Sequence, residues 1–356
     1  MPTIEFTRRA TAAALALAAD RLRGRMRPFV VNHLVTVRCN LHCPFCYVSG
    51  PEQVEFNRIH QPRRAEMNTA EMVAFYRQLV AEKFHMAIVL GGEPLLRGDL
   101  GEMLRVLQGR LFVTVFTNGW LLEDRLELVA PATSVFVSLD APDAEHDRLR
   151  AMPGSFDRAL KGLEAMRRRL PEIRPAINMT VTRENVGRVK EMLAFARSLR
   201  VPVAFQPPTF DGQFAVEGRP NEESAQTAAA REPLAEAFRA IREAADHGDD
   251  VIGSRAFFSH VVDDRASYPC HYPELVLGPV FPNGEVIGCT HQRPIGDVRE
   301  TPLKELLAST PFRDNAAAGP GCARGCRDWG IHDLSAVYAR RFHLGDARRY
   351  YRAFVG

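Results

Sequence analysis

The chain has 356 residues, 46% of them hydrophobic and 25% charged, with a formal net charge of +3. This length buries a full-sized core without disulfides, and the near-neutral balance excludes both a disordered chain and a global attraction to nucleic acid. No run of about 18 apolar residues occurs, which excludes a membrane-spanning helix.

The first segment runs Thr7-Arg8-Arg9-Ala10, then the alanine-rich Thr11–Ala19, then Asp20-Arg21-Leu22-Arg23. Its apolar part is short for an export signal and runs straight into charge. Residues 1–28 are therefore expected to form an amphipathic helix packed on the body of the protein. Phe29–Val37 is a strand-like apolar stretch that leads directly into three cysteines. The segment 49–67 reads as a long polar loop. Asn68-Thr69-Ala70-Glu71 then forms a capping box, opening a helix with apolar residues at Met72, Phe75, Tyr76, Leu79 and Val80.

A regular alternation follows. Strands are predicted at Met86–Leu90, Phe112–Phe116, Ser134–Leu139, Ala176–Val181 and Pro202–Gln206. Helices are predicted near 100–108, 124–129, 155–170 and 186–199. Continuous β-branched runs separated by helices indicate parallel strands covered by helices. Six such units over residues 29–210 give an α/β fold, a partial (β/α)6 TIM-like barrel that falls short of a closed eight-stranded one. A helical connector is expected over 211–250.

From Val251 onward the alternation is expected to stop. Leu275–Phe281 and Glu285–Gly288 flank Pro282-Asn283-Gly284 and read as a hairpin, so residues 251–356 are assigned to a small α+β domain. The basic runs at 63–64, 167–169, 340–341 and 348–349 read as solvated faces; the central one has no interleaved aromatic residues, as a nucleic-acid platform needs.

The seven cysteines are an odd number and do not suit a fully paired disulfide framework. They fall into two groups without remainder. Cys39, Cys43 and Cys46 lie within eight residues; Cys270, Cys289, Cys322 and Cys326 come late. A reducing cytoplasm, the expected location, keeps such thiols available to metal. Three thiolates in one loop wrap one face of a 4Fe–4S cluster and leave one iron open, since such a cluster normally takes four. A zinc site completed by His42 is the competing reading of the spacing.

Cys39-Asn40-Leu41-His42-Cys43-Pro44-Phe45-Cys46-Tyr47 resembles the CxxxCxxC signature of the radical SAM superfamily. The resemblance implies that S-adenosylmethionine chelates the open iron. An electron from the cluster then breaks its C–S bond, giving methionine and a 5′-deoxyadenosyl radical that abstracts hydrogen from a substrate. It places Phe45 by the adenine. Gly91-Gly92-Glu93-Pro94 resembles the family's GGEP motif, whose backbone holds the methionine amino group. Thr117-Asn118-Gly119 matches its TNG beside the cofactor. Ser138-Leu139-Asp140 with Arg150 twelve residues after Ser138 resembles the SxDG…HDxxR stretch, in which serine and arginine hold the methionine carboxylate. Ala141 departs from the usual glycine there. Asn178 is a candidate for ribose contact or a satisfied polar residue of the barrel lumen.

The late cysteines and the hairpin resemble the SPASM and twitch extensions of that superfamily. A full SPASM domain holds two auxiliary clusters. The four cysteines present match the shorter twitch type, with one auxiliary 4Fe–4S cluster on Cys270, Cys289, Cys322 and Cys326; structural zinc is the alternative. The expected reaction is hydrogen abstraction from a small polar metabolite, leading to dehydrogenation, epimerisation or decarboxylation. Maturation of a ribosomal peptide and aminocarboxypropyl transfer are the alternatives. An N-terminal peptide-recognition domain, common in peptide-acting relatives, is not expected in the short segment before the first strand. Molybdenum-cofactor biosynthesis and a non-catalytic electron carrier fit less well. An electron donor such as flavodoxin or ferredoxin is expected. General acid or base candidates, by residue type alone, are His42, His60, His85, His271 and His291.

Overall fold

The computed structural model describes residues 27–46, 48, 65–208, 229–263, 268–289, 294–322, 326–338, 345–347 and 349–350. The expected N-terminal helix, most of the loop over 49–67, His60 and His291 lie outside these residues.

The strands are β1 (Val30–Leu34), β2 (Met86–Leu90), β3 (Phe112–Thr117), β4 (Ser134–Ser138), β5 (Arg174–Thr180), β6 (Val203–Gln206), β7 (Val251–Ile252), β8 (Val276–Val280), β9 (Glu285–Ile287) and β10 (Pro294–Asp297). The helices are α1 (Thr69–Ala81), α2 (Leu100–Leu107), α3 (Leu126–Val129), α4 (Glu145–Leu149), α5 (Ser155–Arg169), α6 (Val189–Leu199), α7 (Arg231–Asp246), α8 (Arg255–Val262), α9 (Tyr272–Leu275), α10 (Leu303–Ala308), α11 (Thr310–Ala318) and α12 (Trp329–Tyr338). The capping box forms as its residues dictate: Glu71 N donates to Asn68 Oδ1 at 3.0 Å, and Asn68 N donates to Glu71 Oε2 at 2.8 Å.

All strands join one sheet in the order β10-β9-β8-β1-β2-β3-β4-β5-β6-β7. From β1 to β7 neighbours run parallel, which is the partial α/β barrel read from the sequence. Two features differ from that reading. The alternation runs one unit beyond residue 250, because the two-residue β7 pairs parallel to β6 and α8 follows it. The hairpin strand β8 docks parallel on β1, so the hairpin extends the barrel sheet.

Alternate residues point to opposite faces of a strand. One set, including Val31, Val89, Val115, Val137 and Met179, packs under the covering helices in the main core. The other, including Asn32, Ile88, Thr114, Phe136 and Asn178, faces a lumen. Helix α12 packs against both α8, which follows β7, and α9, which precedes β8, and so crosses the open side of the barrel.

Candidate active site

The three early cysteines occupy the loop after β1, at the carboxyl ends of the parallel strands where barrels of this kind place their chemistry. A turn closes the loop, with Cys46 N donating to Cys43 O at 3.1 Å. Backbone amides point at the sulfurs: Leu41 N lies 3.4 Å from Cys39 Sγ and Val48 N lies 3.3 Å from Cys46 Sγ. Burial pushes the Cys43 thiol up to about 12, with Arg150 opposing the shift. A free thiolate is therefore costly at Cys43, and bound metal would offset that cost by taking the proton's place. Among the described residues, no three Cys, His, Asp or Glu side chains converge as they do around a single ion. His42, the suggested fourth zinc ligand, is exposed. Three thiol donors in one loop with amides aimed at sulfur fit an iron–sulfur cluster.

The glycines of the Gly91-Gly92 pair are required by the chain itself. A Cβ on Gly92 would sit 2.2 Å from Arg38 O, and one on Gly91 2.4 Å from Thr36 O. Gly92 N and Glu93 N donate to Thr36 O and Arg38 O, each at 2.8 Å, so the β2 loop is laced to the segment entering the cysteines. The Glu93 side chain is fully buried and accepts from Leu95 N at 2.9 Å, Thr117 Oγ1 at 2.8 Å and Asn118 N at 2.7 Å. Burial raises its pKa, while those three donors and Arg150 oppose the rise. Pro94 opens a buried turn immediately after. Asn118 Nδ2 donates to Asn40 Oδ1 at 2.9 Å and approaches Cys39 Sγ at 3.8 Å. Glu93, Thr117 and Asn118 are thus joined to one another and hold the cysteine loop in place.

Arg150 and Ser138 differ in this respect. The Arg150 side chain is 9% exposed, and its Nε donates to Asp140 Oδ2 at 2.6 Å. Asp140 is itself fixed by Thr180 N, which donates to its other oxygen at 2.8 Å, and by His146 Nδ1, which accepts from Asp140 N at 3.0 Å. The guanidinium lies 5.5 Å from the centroid of the Phe45 ring. Among the described residues, neither the Arg150 terminal nitrogens nor the Ser138 hydroxyl has a hydrogen-bond partner, and both residues line the lumen. Asn178 stands opposite Ser138 in the β4–β5 register, and its buried Oδ1 also has no partner among the described residues. It is therefore not the satisfied lumen residue considered above.

The lumen is a cavity of about 550 Å³ reaching from the cysteine loop down between the sheet and α12. Its walls are mainly apolar. Phe116, Phe136 and Trp329 form a near-parallel stack, with centroids 4.6 and 5.9 Å apart. Asp328 lines it too, and burial raises its carboxyl pKa against donation from the Ile331 and Gly330 amides. Asn32, Asp328 and Trp329 were not candidates from the sequence. The one available signal was a polar Asn32-His33 pair inside an otherwise apolar strand.

Cys270, Cys289, Cys322 and Cys326 form no disulfide among the described residues. Cys270 and Cys289 share an apolar cluster with Val30, Tyr272 and Ile331. Burial pushes the Cys270 thiol up to about 11, and Cys322 adds to the rise. Tyr268 lies within electrostatic reach of Cys270, Cys326 and Cys289. Of the histidine candidates, His271 Nδ1 sits 3.0 Å from Glu274 Oε2 at the start of α9, and neither it nor His85 lines the lumen.

The open parallel barrel thus carries a three-cysteine loop at the carboxyl end of its first strand, the rim where barrels of this kind place their chemistry. Residues 34–196, a little under half of the chain, match the family model of the radical SAM superfamily and mark a radical SAM domain there. Among its relatives is the PqqA peptide cyclase of Gluconobacter oxydans (strain 621H), 29% identical over 321 residues, which are 83% of each chain. Streptococcus suis SuiB bound to precursor peptide SuiA shares the fold with a TM-score of 0.63 at 15% identity, over 83% of this chain and 68% of that one. anSMEcpe with bound AdoMet shares it with a TM-score of 0.60 at 14% identity, over 92% of this chain and 96% of that one. No helix among the described residues is long and apolar enough to cross a membrane.

Proposed function

We propose that the chain holds a 4Fe–4S cluster on Cys39, Cys43 and Cys46, cleaves S-adenosylmethionine beside it, and takes a hydrogen atom from a peptide side chain seated in the lumen. The observation that carries this reading is the cysteine loop opening onto the lumen beside Arg150 and Ser138, whose polar groups have no protein partner among the described residues. When bound, the reduced cluster and S-adenosylmethionine supply the 5′-deoxyadenosyl radical.

The chain's own residues do the rest. Arg150 and Ser138 offer a fork and a hydroxyl to a carboxylate, and Asp140 aims the fork. Phe45 presents a ring face, and Asn178 Oδ1 presents an acceptor to a hydroxyl. The amides of Leu41 and Val48 stabilise charge on sulfur. Cys270, Cys289, Cys322 and Cys326 would hold one auxiliary 4Fe–4S cluster, whose thiolate donors suit an electron relay. Arg38, beside Cys39 and with a 62% exposed side chain, suits an acidic electron donor such as flavodoxin or ferredoxin.

Two things favour a peptide over the small polar metabolite expected from the sequence. The lumen wall is mainly apolar, and relatives named above are called a peptide cyclase and a precursor-peptide complex. The test is anaerobic reconstitution, addition of S-adenosylmethionine and a strong reductant, and mass spectrometry of the nucleoside released. 5′-Deoxyadenosine, abolished by Cys43→Ala, is the expected product. Methylthioadenosine would instead mean aminocarboxypropyl transfer and would refute hydrogen abstraction.

A further inference from the structure

Four lumen-facing residues form one layer across the sheet, below the rim: Asn32 is in register with Ile88, Ile88 with Thr114, and Thr114 with Ser134. All four line the cavity. Ser134 and the rim residue Ser138 are four positions apart on β4, so the layer lies about 13 Å deeper at ~3.3 Å per residue.

Three of the four residues are polar, in a wall that is otherwise mostly apolar. Thr114 and Ser134 satisfy one another through a 2.9 Å hydroxyl contact. Asn32 is 7% exposed, and its Nδ2 donates to the Tyr272 hydroxyl at 3.0 Å. In this arrangement Oδ1 is left as a buried acceptor with no partner among the described residues. A buried acceptor left without a donor is costly, so a ligand donor is well placed to be read there. Between this layer and the rim stands the stack of Phe116, Phe136 and Trp329, whose half-buried outer rings, Phe116 and Trp329, border the cavity on either side of the fully buried Phe136.

We infer that Asn32 is a specificity residue, and that the layer it belongs to receives the far end of an aromatic ring carrying an O–H or N–H donor. The inference rests on the lumen being the substrate chamber. It narrows the substrate to a ring-bearing group, a phenol or indole type of side chain, held with its tip on Asn32 and its nearer atoms toward the rim.

The test measures equilibrium binding of three small probes to the full-length protein: p-cresol, toluene and 4-methylanisole. Transfer from water to an apolar wall favours toluene, which is no larger than p-cresol and so controls for fit, and 4-methylanisole keeps the oxygen on the ring but replaces its donor hydrogen with a methyl group. The expected result is p-cresol bound roughly 3- to 10-fold tighter than either, the size of one net hydrogen bond. Asn32→Leu should abolish that preference, and the isosteric Asn32→Asp, which keeps an acceptor, should retain it. Equal binding of the three probes by the unsubstituted protein would overturn the inference without any variant. So would a preference that survives Asn32→Leu in protein with an unchanged circular dichroism spectrum. Binding needs neither cluster nor S-adenosylmethionine, so a failure here is distinct from a failure to release 5′-deoxyadenosine.

Discussion

Replacing Asp140 with asparagine tests whether the rim arginine is aimed by its ion pair. Asp140 is fully buried and uses both oxygens, accepting from Arg150 Nε at 2.6 Å and from Thr180 N at 2.8 Å. Asparagine has one oxygen. If it stays on Thr180 N, its NH2 group faces the Arg150 Nε–H, and a guanidinium with a 9% exposed side chain loses its counter-charge. Removing one partner of a buried pair costs about 3–5 kcal/mol. Arg150→Met removes the other partner, and the double variant removes both. The two changes should therefore couple by at least ~2 kcal/mol instead of adding. The assay is guanidinium unfolding of the four proteins, followed by circular dichroism and compared at constant m-value. Asp140→Asn retains the guanidinium, yet it should weaken S-adenosylmethionine binding by roughly tenfold, because the fork is no longer held toward the lumen. A loss of stability under about 1 kcal/mol, or additivity within about 0.5 kcal/mol, would show that the pair does not organise the rim.

Two further outcomes are expected. Gly92→Ala puts a methyl carbon 2.2 Å from Arg38 O, a backbone atom that cannot swing aside. The cysteine-bearing segment must shift, so iron and sulfide bound after reconstitution should fall well below the unsubstituted level, and undiminished loading would refute the lacing of the two loops. The second outcome concerns acid stability. Burial lowers His33 to about 3 and His146 to about 4, with nearby arginines adding to both shifts, from an ordinary value of 6.5. The unfolded chain takes up these protons first as pH falls. Stability is thus fully present above about pH 6.5 and is lost toward pH 4, with a slope of up to about 1.4 kcal/mol per pH unit for each histidine. His146→Gln should flatten the fall in the denaturant midpoint between pH 7 and pH 5. An unchanged slope would mean that His146 is protonated in the native state.

What the sequence made legible follows from which forces are local. Strands β2 to β6 lie inside the sheet, with helices over one face and the mainly apolar lumen on the other, and so read as largely apolar runs, such as MAIVL at Met86–Leu90 and SVFVS at Ser134–Ser138. The spacing of Cys39, Cys43 and Cys46 is legible because all three lie within eight residues of one another. By contrast, β7 has two residues and carries no periodicity. The docking of β8 on β1 joins segments some 240 positions apart, as the bond from Asn32 to Tyr272 does, and no local pattern encodes it. The motif residues illustrate a subtler limit. Glu93, Thr117 and Asn118 carry the cofactor motifs, yet the Glu93 carboxylate is taken up by the Thr117 hydroxyl and the Asn118 backbone amide, and the Asn118 side chain by Asn40. A motif identifies the position that matters without saying whether its side chain faces a ligand or braces the residue that does.

Helix α12 connects the two cysteine groups in a way that bears on how the lumen is built. Trp329, three positions after Cys326, stacks on Phe136 and forms part of the chamber wall. Two positions further, Ile331 packs in the apolar cluster that contains Cys270 and Cys289. Met86 and Ile88 touch that same cluster from β2 while also lining the lumen. The later cysteines therefore lie directly behind the chamber's deep end, and they share its wall residues. Cys270 and Cys289 thus pack behind the same wall that carries Trp329 and Asn32. We predict that Cys270 and Cys289 shape the chamber through packing, separately from any electron transfer by a cluster on the second group. The two roles part experimentally, because substitution of Cys270 should disturb probe binding in the lumen even where no reductant is present.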